Sequence, residues 1–220
     1  MGRRLTSPGN LKIRWLSQMT ELPFGPFGAS VLHICIDMQR LFLEPGPWYG
    51  EACLGVIEPQ KRLINHAPMR SLFTRFITAN TADDATGSWQ RYYRQWHSVT
   101  QDEAGSEILE LHPEILPLAR PENIFDKLTH DAFNSESFCQ RIKDEAPSAL
   151  ILTGIETDVC VLATAMSAVD LGYRTIIASD GVASSIPASH AATMEHIYPR
   201  FDQQIEQASI ETIIQNWRLS

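Results

Sequence analysis

Three residues whose side chains could form an activated nucleophile follow separate strand-like segments of the chain. Asp37 follows the apolar run VLHICI, Lys127 follows the short run NIF, and Cys160 lies six residues after the glycine that ends the run ALILT. Ligands of parallel α/β sheets bind beyond the carboxyl ends of the strands, where these residues are placed. A thiol that attacks, a carboxylate that accepts its proton and an ammonium group that balances the charge would together make a cysteine nucleophile.

Cys160 also lies near the start of a predicted helix, 158–171. Thr157 or Asp158 is the expected N-cap, and Gly172 is a natural residue to follow the C-terminal end. Either cap places Cys160 in the first turn, where unpaired backbone amides and the helix dipole stabilise a thiolate, and a nearby lysine would lower the thiol pKa further. The same turn offers backbone N–H groups for an oxyanion hole.

Each of these residues has an ordinary structural interpretation as well. A lone cysteine at a helix start is more often a packed small side chain than a nucleophile. An aspartate after a strand is often a turn or cap residue, and Asp180, after the run RTIIAS, fits that interpretation best. A lysine after a strand is normally solvated. Spacing alone does not bring the three side chains together.

Strand-like and helical segments alternate along the chain after residue 30. This alternation predicts an α/β domain with three layers, a parallel six-stranded sheet flanked by helices on both faces. The strands are predicted at 31–36, 71–77, 123–125, 149–153, 174–179 and 203–209, and the helices at 55–66, 88–96, 135–145, 158–171, 187–197 and 209–217.

Two segments fall outside this alternation. Residues 1–29 are rich in glycine, proline and polar residues and are interpreted as an N-terminal arm before a single domain at 30–220. Residues 78–122 have little strand character, and an irregular segment of this length in a compact domain is often a functional lid or wall. Its aromatic residues recur at helical spacing, which suits either core packing or a pocket wall.

The composition argues against several classes of function. The chain has 220 residues and a formal net charge of -8, which disfavours a nucleic-acid surface because such surfaces need clustered Lys and Arg. No apolar run approaches the roughly 20 residues of a membrane span, and the N-terminus lacks the apolar stretch of a secretory signal. We therefore predict a cytoplasmic protein that binds neither nucleic acid nor membrane.

The four cysteines show no CxxC or Cys/His metal-ligand spacing, which predicts free thiols in a reducing compartment. They are Cys35, Cys53, Cys139 and Cys160.

Three blocks of the sequence resemble the signature blocks of the isochorismatase-like cysteine hydrolases. They are DMQRLF, DK followed by DAFNSESF, and GIETDVCVLATAMSAVDLGYRTIIASDGVASS. The third block is long and specific, and the blocks cover residues 31–210 in order and spacing. The resemblance implies a parallel six-stranded sheet flanked by helices. Members of the family include nicotinamidases, N-carbamoylsarcosine and ureidoacrylate amidohydrolases, biuret hydrolase and isochorismatases.

The resemblance also implies a role for each matching residue. Asp37 matches the family's base, Lys127 its triad lysine and Cys160 its nucleophile. It further implies a non-proline cis peptide between Ile155 and Glu156, with the backbone amides of Glu156 and Cys160 forming the oxyanion hole. The implied reaction cleaves the C–N bond of a small amide, carbamoyl or ureide compound through a thioester intermediate.

The chain departs from the family pattern at two places. Nicotinamidases of the family hold a metal with an Asp-x-His pair after the second strand and a further histidine, but no such pair occurs here. The one nearby histidine, His97, is interpreted as a surface or wall residue, and we predict no metal and no cofactor. Glu156 stands where many relatives have a small residue. It either points away and pairs with a basic residue or recognises a substrate N–H group.

The substrate is expected to be a small molecule, and the candidates for contacting it are Gln39, Phe42, Trp89 and Tyr93. The predicted helix 158–171 has few polar positions, so burial against a second subunit is expected. Because the family commonly forms dimers or tetramers, we predict a homo-oligomer.

Two other functions remain open from the sequence. One is an isochorismatase-type vinyl ether hydrolase, a reaction that the family performs without a cysteine nucleophile. The other is a non-catalytic binding protein that retains the fold.

Overall fold

The computed structural model describes residues 22–219, which contain a six-stranded sheet with all strand pairs parallel. The strands are β1 (Val31–Ile36), β2 (Ser71–Phe76), β3 (Ile124–Lys127), β4 (Ala149–Ile155), β5 (Arg174–Ala183) and β6 (Ile205–Ala208). Their order across the sheet is β3-β2-β1-β4-β5-β6. All six predicted strands are confirmed, although β3, β4 and β5 extend further than predicted, and Lys127 is the last residue of β3 rather than a residue after it.

Helices follow the strands as the alternation predicts. The α-helices of the described chain are α1 (Arg40–Leu43), α2 (Ile57–His66), α3 (Ser88–Gln95), α4 (Gln101–Ala104), α5 (Glu136–Glu145), α6 (Leu162–Asp170), α7 (Pro187–Ala192) and α8 (Ile210–Asn216). Short 3-10 turns join several of them, and wider π-helical turns precede α6 at Thr157–Val161 and follow α7 at Thr193–Ile197. The predicted helices at 158–171 and 187–197 therefore each combine an α-helix with a π-turn.

Two helical layers cover the sheet because side chains of a strand alternate between its faces. Leu32, Ile34 and Ile36 of β1 pack in one apolar cluster with α5 and α6. Val31 and Cys35 face the opposite side, where the clusters include side chains of α2 and α8. The predicted three-layer α/β fold is confirmed.

The order in which the chain adds strands to the sheet reverses between β1 and β4. From β1 the chain adds β2 and β3 on one side, and from β4 it adds β5 and β6 on the other. The crossover connections on either side of such a reversal diverge and leave a crevice beyond the carboxyl ends of the strands. Asp37 follows β1 and Cys160 follows β4, so both lie at this crevice.

Part of the predicted N-terminal arm packs onto the domain. Residues 1–21 of that arm lie outside the described residues. Leu22 and Phe27 are buried in the same cluster as Trp217, and the Phe27 amide donates a hydrogen bond to the Asn216 carbonyl at 2.8 Å. Residues 22–29 therefore share the core of the domain, and the division at residue 30 stays a prediction.

The predicted irregular segment 78–122 holds α3, α4 and connecting 3-10 turns. Aromatic side chains of α3 pack in a cluster with Phe76 of β2 and with Leu41, Val99 and Leu109. Among residues 22–219, none of the helices has the length and apolar character needed to cross a bilayer.

Candidate active site

A buried ion pair joins the ends of β1 and β3. Lys127 Nζ lies 2.7 Å from Asp37 Oδ2, and both side chains are fully buried. Thr74 of β2 donates from its hydroxyl to Asp37 Oδ1 at 2.7 Å, and Lys127 Nζ also donates to the Thr129 carbonyl at 3.0 Å. Burial opposes the charge of Lys127, but Asp37 and Cys160 outweigh it, so the pKa of Lys127 is raised. Lys127 is therefore cationic at neutral pH.

The strand order explains why a lysine occupies this position. Lys127 is the last residue of β3, which is separated from β1 by β2. Neighbouring strands are about 4.8 Å apart, so a side chain from β3 must reach across β2 to meet one from β1. The long lysine chain crosses the ring of Phe76, with Nζ 5.0 Å from the ring centroid.

Asp37 has a backbone conformation that non-glycine residues rarely adopt. Its φ is 52°, in the left-handed region, where aspartate is one of the better tolerated residues. The Asp37 amide donates to the Thr74 carbonyl at 3.2 Å, which helps to hold this turn in place. The conformation ends β1 abruptly and leaves the carboxylate at the crevice.

Cys160 lies in the first helical turn after β4, as predicted, but the turn begins one residue earlier than predicted. Glu156 is the extended N-cap residue, and the π-turn Thr157–Val161 follows it. The predicted caps are wrong because both side chains are bound elsewhere. Thr157 Oγ1 contacts His190 Nδ1 at 2.9 Å, and Asp158 accepts a hydrogen bond from Ser184 at 2.5 Å.

The electrostatic surroundings of Cys160 are the reverse of those predicted from a helix start and a nearby lysine. Burial raises the pKa of the thiol well above its ordinary value, the charge of Asp37 raises it further, and Lys127 only partly opposes them. The resting site is therefore a neutral thiol beside the buried Asp37–Lys127 ion pair. This arrangement needs a base to take the thiol proton when the sulfur attacks.

His130 is a fourth polar residue at the nucleophile. Its Nδ1 lies 3.7 Å from Cys160 Sγ, and its ring stacks on Phe76 at 5.9 Å and packs against Trp89 at 5.0 Å. Burial, together with the charge of Lys127, lowers the pKa of His130, so the imidazole is neutral at pH 7. A neutral ring can donate or accept a hydrogen bond at the sulfur. His130 lies in the block DKLTHDAF, three residues after Lys127, but nothing in that spacing marked it as a neighbour of Cys160.

The peptide bond between Ile155 and Glu156 is cis. Glu156 is half-buried, and its Oε1 accepts a hydrogen bond from the Ser185 amide at 3.0 Å. None of the ion pairs within residues 22–219 includes Glu156. The basic partner of the first alternative is thus not found in that range, and Glu156 is instead one of the residues that line a cavity over Cys160.

A cavity of about 300 Å³ opens over Cys160. Its wall is mainly aromatic, with Glu156 as its one acidic side chain among the described residues. The lining consists of Phe42, Pro47, Trp48, Tyr49, Phe76, Tyr92, Trp96, His130, Glu156, Val159, Cys160, Ser185 and Ile186.

Of the four residues predicted to contact the substrate, the structure places one at the cavity over Cys160 and three elsewhere. Phe42 lines the cavity. Gln39 is fully buried instead. Its side-chain oxygen accepts a hydrogen bond from the Phe76 amide at 2.7 Å, and its side-chain nitrogen donates to the Leu109 carbonyl at 2.7 Å. Gln39 therefore ties β1 to the 78–122 segment and has no free group for a ligand.

Trp89 and Tyr93 of α3 also lie away from the cavity. Tyr93 is buried in the aromatic cluster, and both residues line a separate depression. Tyr92 and Trp96 line the cavity in their place. These two residues are four apart, so they share one edge of the helical aromatic stripe, and the same spacing places Trp89 and Tyr93 on the neighbouring edge.

The other candidate positions have structural surroundings. Asp180 accepts a hydrogen bond from the Ile210 amide at the start of α8, at 2.7 Å, as the capping interpretation predicts. His97 is exposed. Over residues 22–219, three or more His, Cys, Asp or Glu side chains do not gather anywhere in an arrangement that could hold a metal ion.

The isochorismatase domain model matches residues 31–209, which include the ion pair, Cys160 and every residue that lines the cavity. The chain belongs to the isochorismatase family. The match confirms the predicted family and the hydrolase class that the family represents.

Isochorismatase relatives resemble the chain at low identity. The uncharacterized isochorismatase family protein PncA of Bacillus subtilis (strain 168) is 28% identical over 107 residues, which is 46% of this chain and 58% of that protein. The matched stretch therefore spans less than two thirds of that relative.

Solved structures show the same isochorismatase-like fold. A cysteine hydrolase from Pseudomonas syringae pv. phaseolicola has a TM-score of 0.70 at 21% identity, covering 86% of this chain and 92% of that one. N-carbamoylsarcosine amidase from Thermoplasma acidophilum has a TM-score of 0.64 at 18% identity, covering 82% of this chain and 96% of that one.

Proposed function

We propose that this isochorismatase-family protein is a cysteine-dependent, metal-independent hydrolase. It cleaves the C–N bond of a small amide, carbamoyl or ureide compound and passes through a thioester on Cys160. The observation that carries the proposal is the placement of the Cys160 thiol between the floor of an aromatic cavity and a fully buried Asp37–Lys127 pair. An amidase among the structural relatives supports the reaction class.

The first half-reaction forms the thioester. Asp37 takes the proton of the Cys160 thiol as the sulfur adds to the substrate carbonyl, and the carbonyl electrons move onto its oxygen. When the tetrahedral intermediate collapses, the C–N bond breaks and Asp37 returns the proton to the departing nitrogen. Products of this step are the amine or ammonia and an acyl group bound to sulfur.

The second half-reaction restores the enzyme. A water molecule gives a proton to Asp37 and adds to the thioester carbonyl, and the C–S bond then breaks. The released sulfur recovers its proton from Asp37, so the base ends as it began. Lys127 holds the Asp37 carboxylate in position and balances the negative charge that passes between Asp37 and Cys160.

The backbone amides of Glu156 and Cys160 are proposed as the oxyanion hole. Both lie at the turn between β4 and α6, where the cavity meets the nucleophile. Fixed amides aimed at the developing oxyanion typically contribute about 3–4 kcal/mol of transition-state stabilisation each. The neutral His130 contacts the sulfur from the other side and helps to fix the thiol rotamer.

The size of the cavity supports a small substrate. Its volume of about 300 Å³ is at the lower end of the range for small-molecule pockets, about 300–1,000 Å³. A substrate with a short acyl part and one nitrogen substituent fills such a space.

Ammonia or amine release tests the proposal. Wild type, Cys160→Ala and the matched control Cys139→Ala are assayed against primary amides, carbamoyl compounds and ureides, each with and without a metal chelator. Wild type and Cys139→Ala are expected to release product regardless of chelator, whereas Cys160→Ala loses at least about 1,000-fold in kcat/KM because the nucleophile is gone. Trapping by hydroxylamine should convert the thioester to a hydroxamate.

Other outcomes would overturn the proposal. Release of ammonia or amine that survives in Cys160→Ala would contradict the thioester route, because the nucleophile is absent from that variant. Activity that disappears with chelator would contradict metal independence. A complete lack of product, with no acyl adduct on Cys160 by intact-protein mass, would favour the non-catalytic alternative.

A further inference from the structure

Much of the cavity wall is built from aromatic rings, some of which meet at steep angles. The ring of Trp48 lies 5.8 Å from Tyr92 with an interplanar angle of 49° and 6.1 Å from Trp96 with an angle of 68°. Phe42 stacks on Trp48 at 5.9 Å and 9°. All four side chains line the cavity, so they form an aromatic box whose rings lie in more than one orientation.

The charges around this box are negative. Glu156 lines the cavity and takes part in none of the ion pairs of residues 22–219. Across that same range, neither lysine nor arginine contributes to the lining. Lys127 is neutralised by Asp37 behind the wall. His130 adds no positive charge because burial lowers its pKa.

We propose that the substrate of this site carries a positively charged nitrogen close to the carbonyl that is hydrolysed. Ring faces attract cations through the negative centre of the π system, and an unpaired carboxylate in a half-buried site adds a Coulomb attraction. Both contributions favour an ammonium, an alkylated ammonium or an amidinium group and disfavour an anion. The inference rests on the proposed function for the amide bond, but the charge preference can be measured by binding alone.

The site geometry determines how close the charge and the carbonyl are. Glu156 is the residue that begins the turn bearing Cys160, and its side chain and the sulfur both line one cavity of about 300 Å³. A cation in contact with Glu156 is therefore within a few atoms of the carbonyl under attack. In that position it also offsets the repulsion between Glu156 and the developing oxyanion, so the substrate supplies a charge that the protein wall lacks.

The test uses three small amides of similar shape that differ in charge. The cationic amide is trimethylammonioacetamide. Its neutral isostere is 3,3-dimethylbutanamide, called tert-butylacetamide below, and the anionic amide is malonamate. Binding is measured by calorimetry on the Cys160→Ala protein, which cannot hydrolyse them. The cation is expected to bind at least about tenfold tighter than the neutral isostere, which is about 1.4 kcal/mol, and malonamate is expected to bind most weakly.

Two variants separate this preference from a general change in the pocket. Glu156→Gln keeps the acceptor for the Ser185 amide but removes the charge, so it should reduce the cation-to-neutral ratio by at least about fivefold while leaving tert-butylacetamide binding within about twofold. Glu195→Gln removes an exposed carboxylate that does not line the cavity and should leave every ratio unchanged.

Three results would overturn the inference. They are a neutral isostere that binds as tightly as the cation, an anion that binds most tightly, and a charge preference that persists in Glu156→Gln. Hydrolysis by the wild-type protein is measured on the same three amides. Hydrolysis without charge preference would overturn this inference alone, whereas a charge preference in binding without any hydrolysis would overturn the proposed function alone.

Discussion

At the scale of single residues, the site depends on how one buried ion pair acts on one thiol. Asp37 and Lys127 neutralise each other out of contact with water, and this pair is costly to bury unless both members are present. Burial and Asp37 together keep Cys160 protonated at rest. The carboxylate therefore has two opposing effects, since it holds the thiol neutral in the free enzyme and removes the thiol proton during attack.

Removing the Asp37 charge should separate these effects. Asp37→Asn is expected to abolish hydrolysis because no base remains. It should also make Cys160 easier to ionise, because the negative charge that raises the thiol pKa is gone while Lys127 still lowers it against the effect of burial. In a plot of iodoacetamide alkylation rate against pH, the midpoint for Cys160 should fall by at least about one pH unit. Asp180→Asn, at an aspartate that only caps α8, is the control. A midpoint that rises or stays constant would contradict this account of the charges.

Removing the Lys127 charge should affect stability. Lys127→Met leaves the Asp37 carboxylate buried without a cation, which is expected to lower the free energy of unfolding by about 3–5 kcal/mol. Adding Asp37→Asn should recover most of that loss, because the double variant holds two neutral groups. Urea unfolding of the four proteins of this cycle measures the coupling, and a coupling energy under about 1 kcal/mol would show that the pair does not act as a unit.

At the scale of secondary structure elements, the nucleophile is positioned by the close approach of β4 to β1. Gly154 is paired with Ile36 in the parallel register and has φ +115°. A Cβ atom at this position would lie 2.0 Å from the Ile36 carbonyl oxygen. Only glycine fits this backbone, so the two strands that carry Asp37 and Cys160 at their ends can converge below the crevice.

Gly154→Ala should therefore destabilise the domain strongly. We expect a loss of about 3 kcal/mol or more in the free energy of unfolding, from backbone strain at positive φ together with overpacking against Ile36. Gly28→Ala is a matched control, since a Cβ there meets nothing within 4 Å, and it should change stability by less than about 0.5 kcal/mol. Thermal or urea unfolding distinguishes the two, and equal stability of both variants would contradict the model of β4 packing.

The position of helix α3 also determines which aromatic rings form the wall of the cavity. Helix α3 carries its rings along one stripe, and the two edges of that stripe have different surroundings. All four rings pack in the cluster with Phe76, but of the four only Tyr92 and Trp96 also line the cavity over Cys160. Burial raises the pKa of Tyr92 to about 12, with Tyr93 adding to the effect. The Tyr92 hydroxyl is therefore neutral at physiological pH and adds no charge to the cavity.

At the scale of the whole molecule, folding stability is linked to pH through a buried histidine. His33 in β1 is fully buried, and its ring nitrogens contact Ser71 at 3.0 Å and Thr153 at 2.8 Å. These contacts join β1 to β2 and β4 across the centre of the sheet. Burial lowers the pKa of His33 to about 3, so the folded protein holds this ring neutral.

Acidification should therefore unfold the protein in part through His33. Unfolded His33 takes up a proton near pH 6.5 but the folded form does so only near pH 3, so the contribution to stability is complete above pH 6.5 and is lost as the pH falls toward 3. Between pH 7 and pH 5 the expected loss is about 2 kcal/mol.

Urea unfolding at several pH values measures this linkage. His33→Gln cannot titrate, so the difference in unfolding free energy between wild type and this variant should shrink as the pH falls from 7 to 5. His97→Gln, at an exposed histidine, should keep the wild-type slope. If the slopes of wild type and His33→Gln were the same, the linkage would lie in other groups.

Association with a second copy also belongs to this scale and stays a prediction. Several apolar side chains of the described chain are exposed, including Leu171 at 60% and Leu128 at 69% of their surface. Light scattering of the purified protein would report whether it is a dimer or tetramer, and a monomer at micromolar concentration would contradict the predicted homo-oligomer.

The sequence by itself determined the sheet and the helices, because these depend on local periodicity and on the order of elements. The same order places Asp37 and Cys160 at the reversal of strand order, whereas only the resemblance to the family grouped them with Lys127. Gly172 illustrates the same point, because its predicted place after the helix matches its φ of +84° beyond α6.

Tertiary structure decided which side chains meet the nucleophile and what charge the site carries. Periodicity shows that the rings of α3 share a stripe, but the rotation of that stripe against β2 selects Tyr92 and Trp96 over Trp89 and Tyr93. The raised pKa of Cys160 likewise depends on burial and on a carboxylate from another strand. Distances between groups remote in sequence and their exposure to water arise only when the chain is packed, because solvation and Coulomb energies depend on three-dimensional separation.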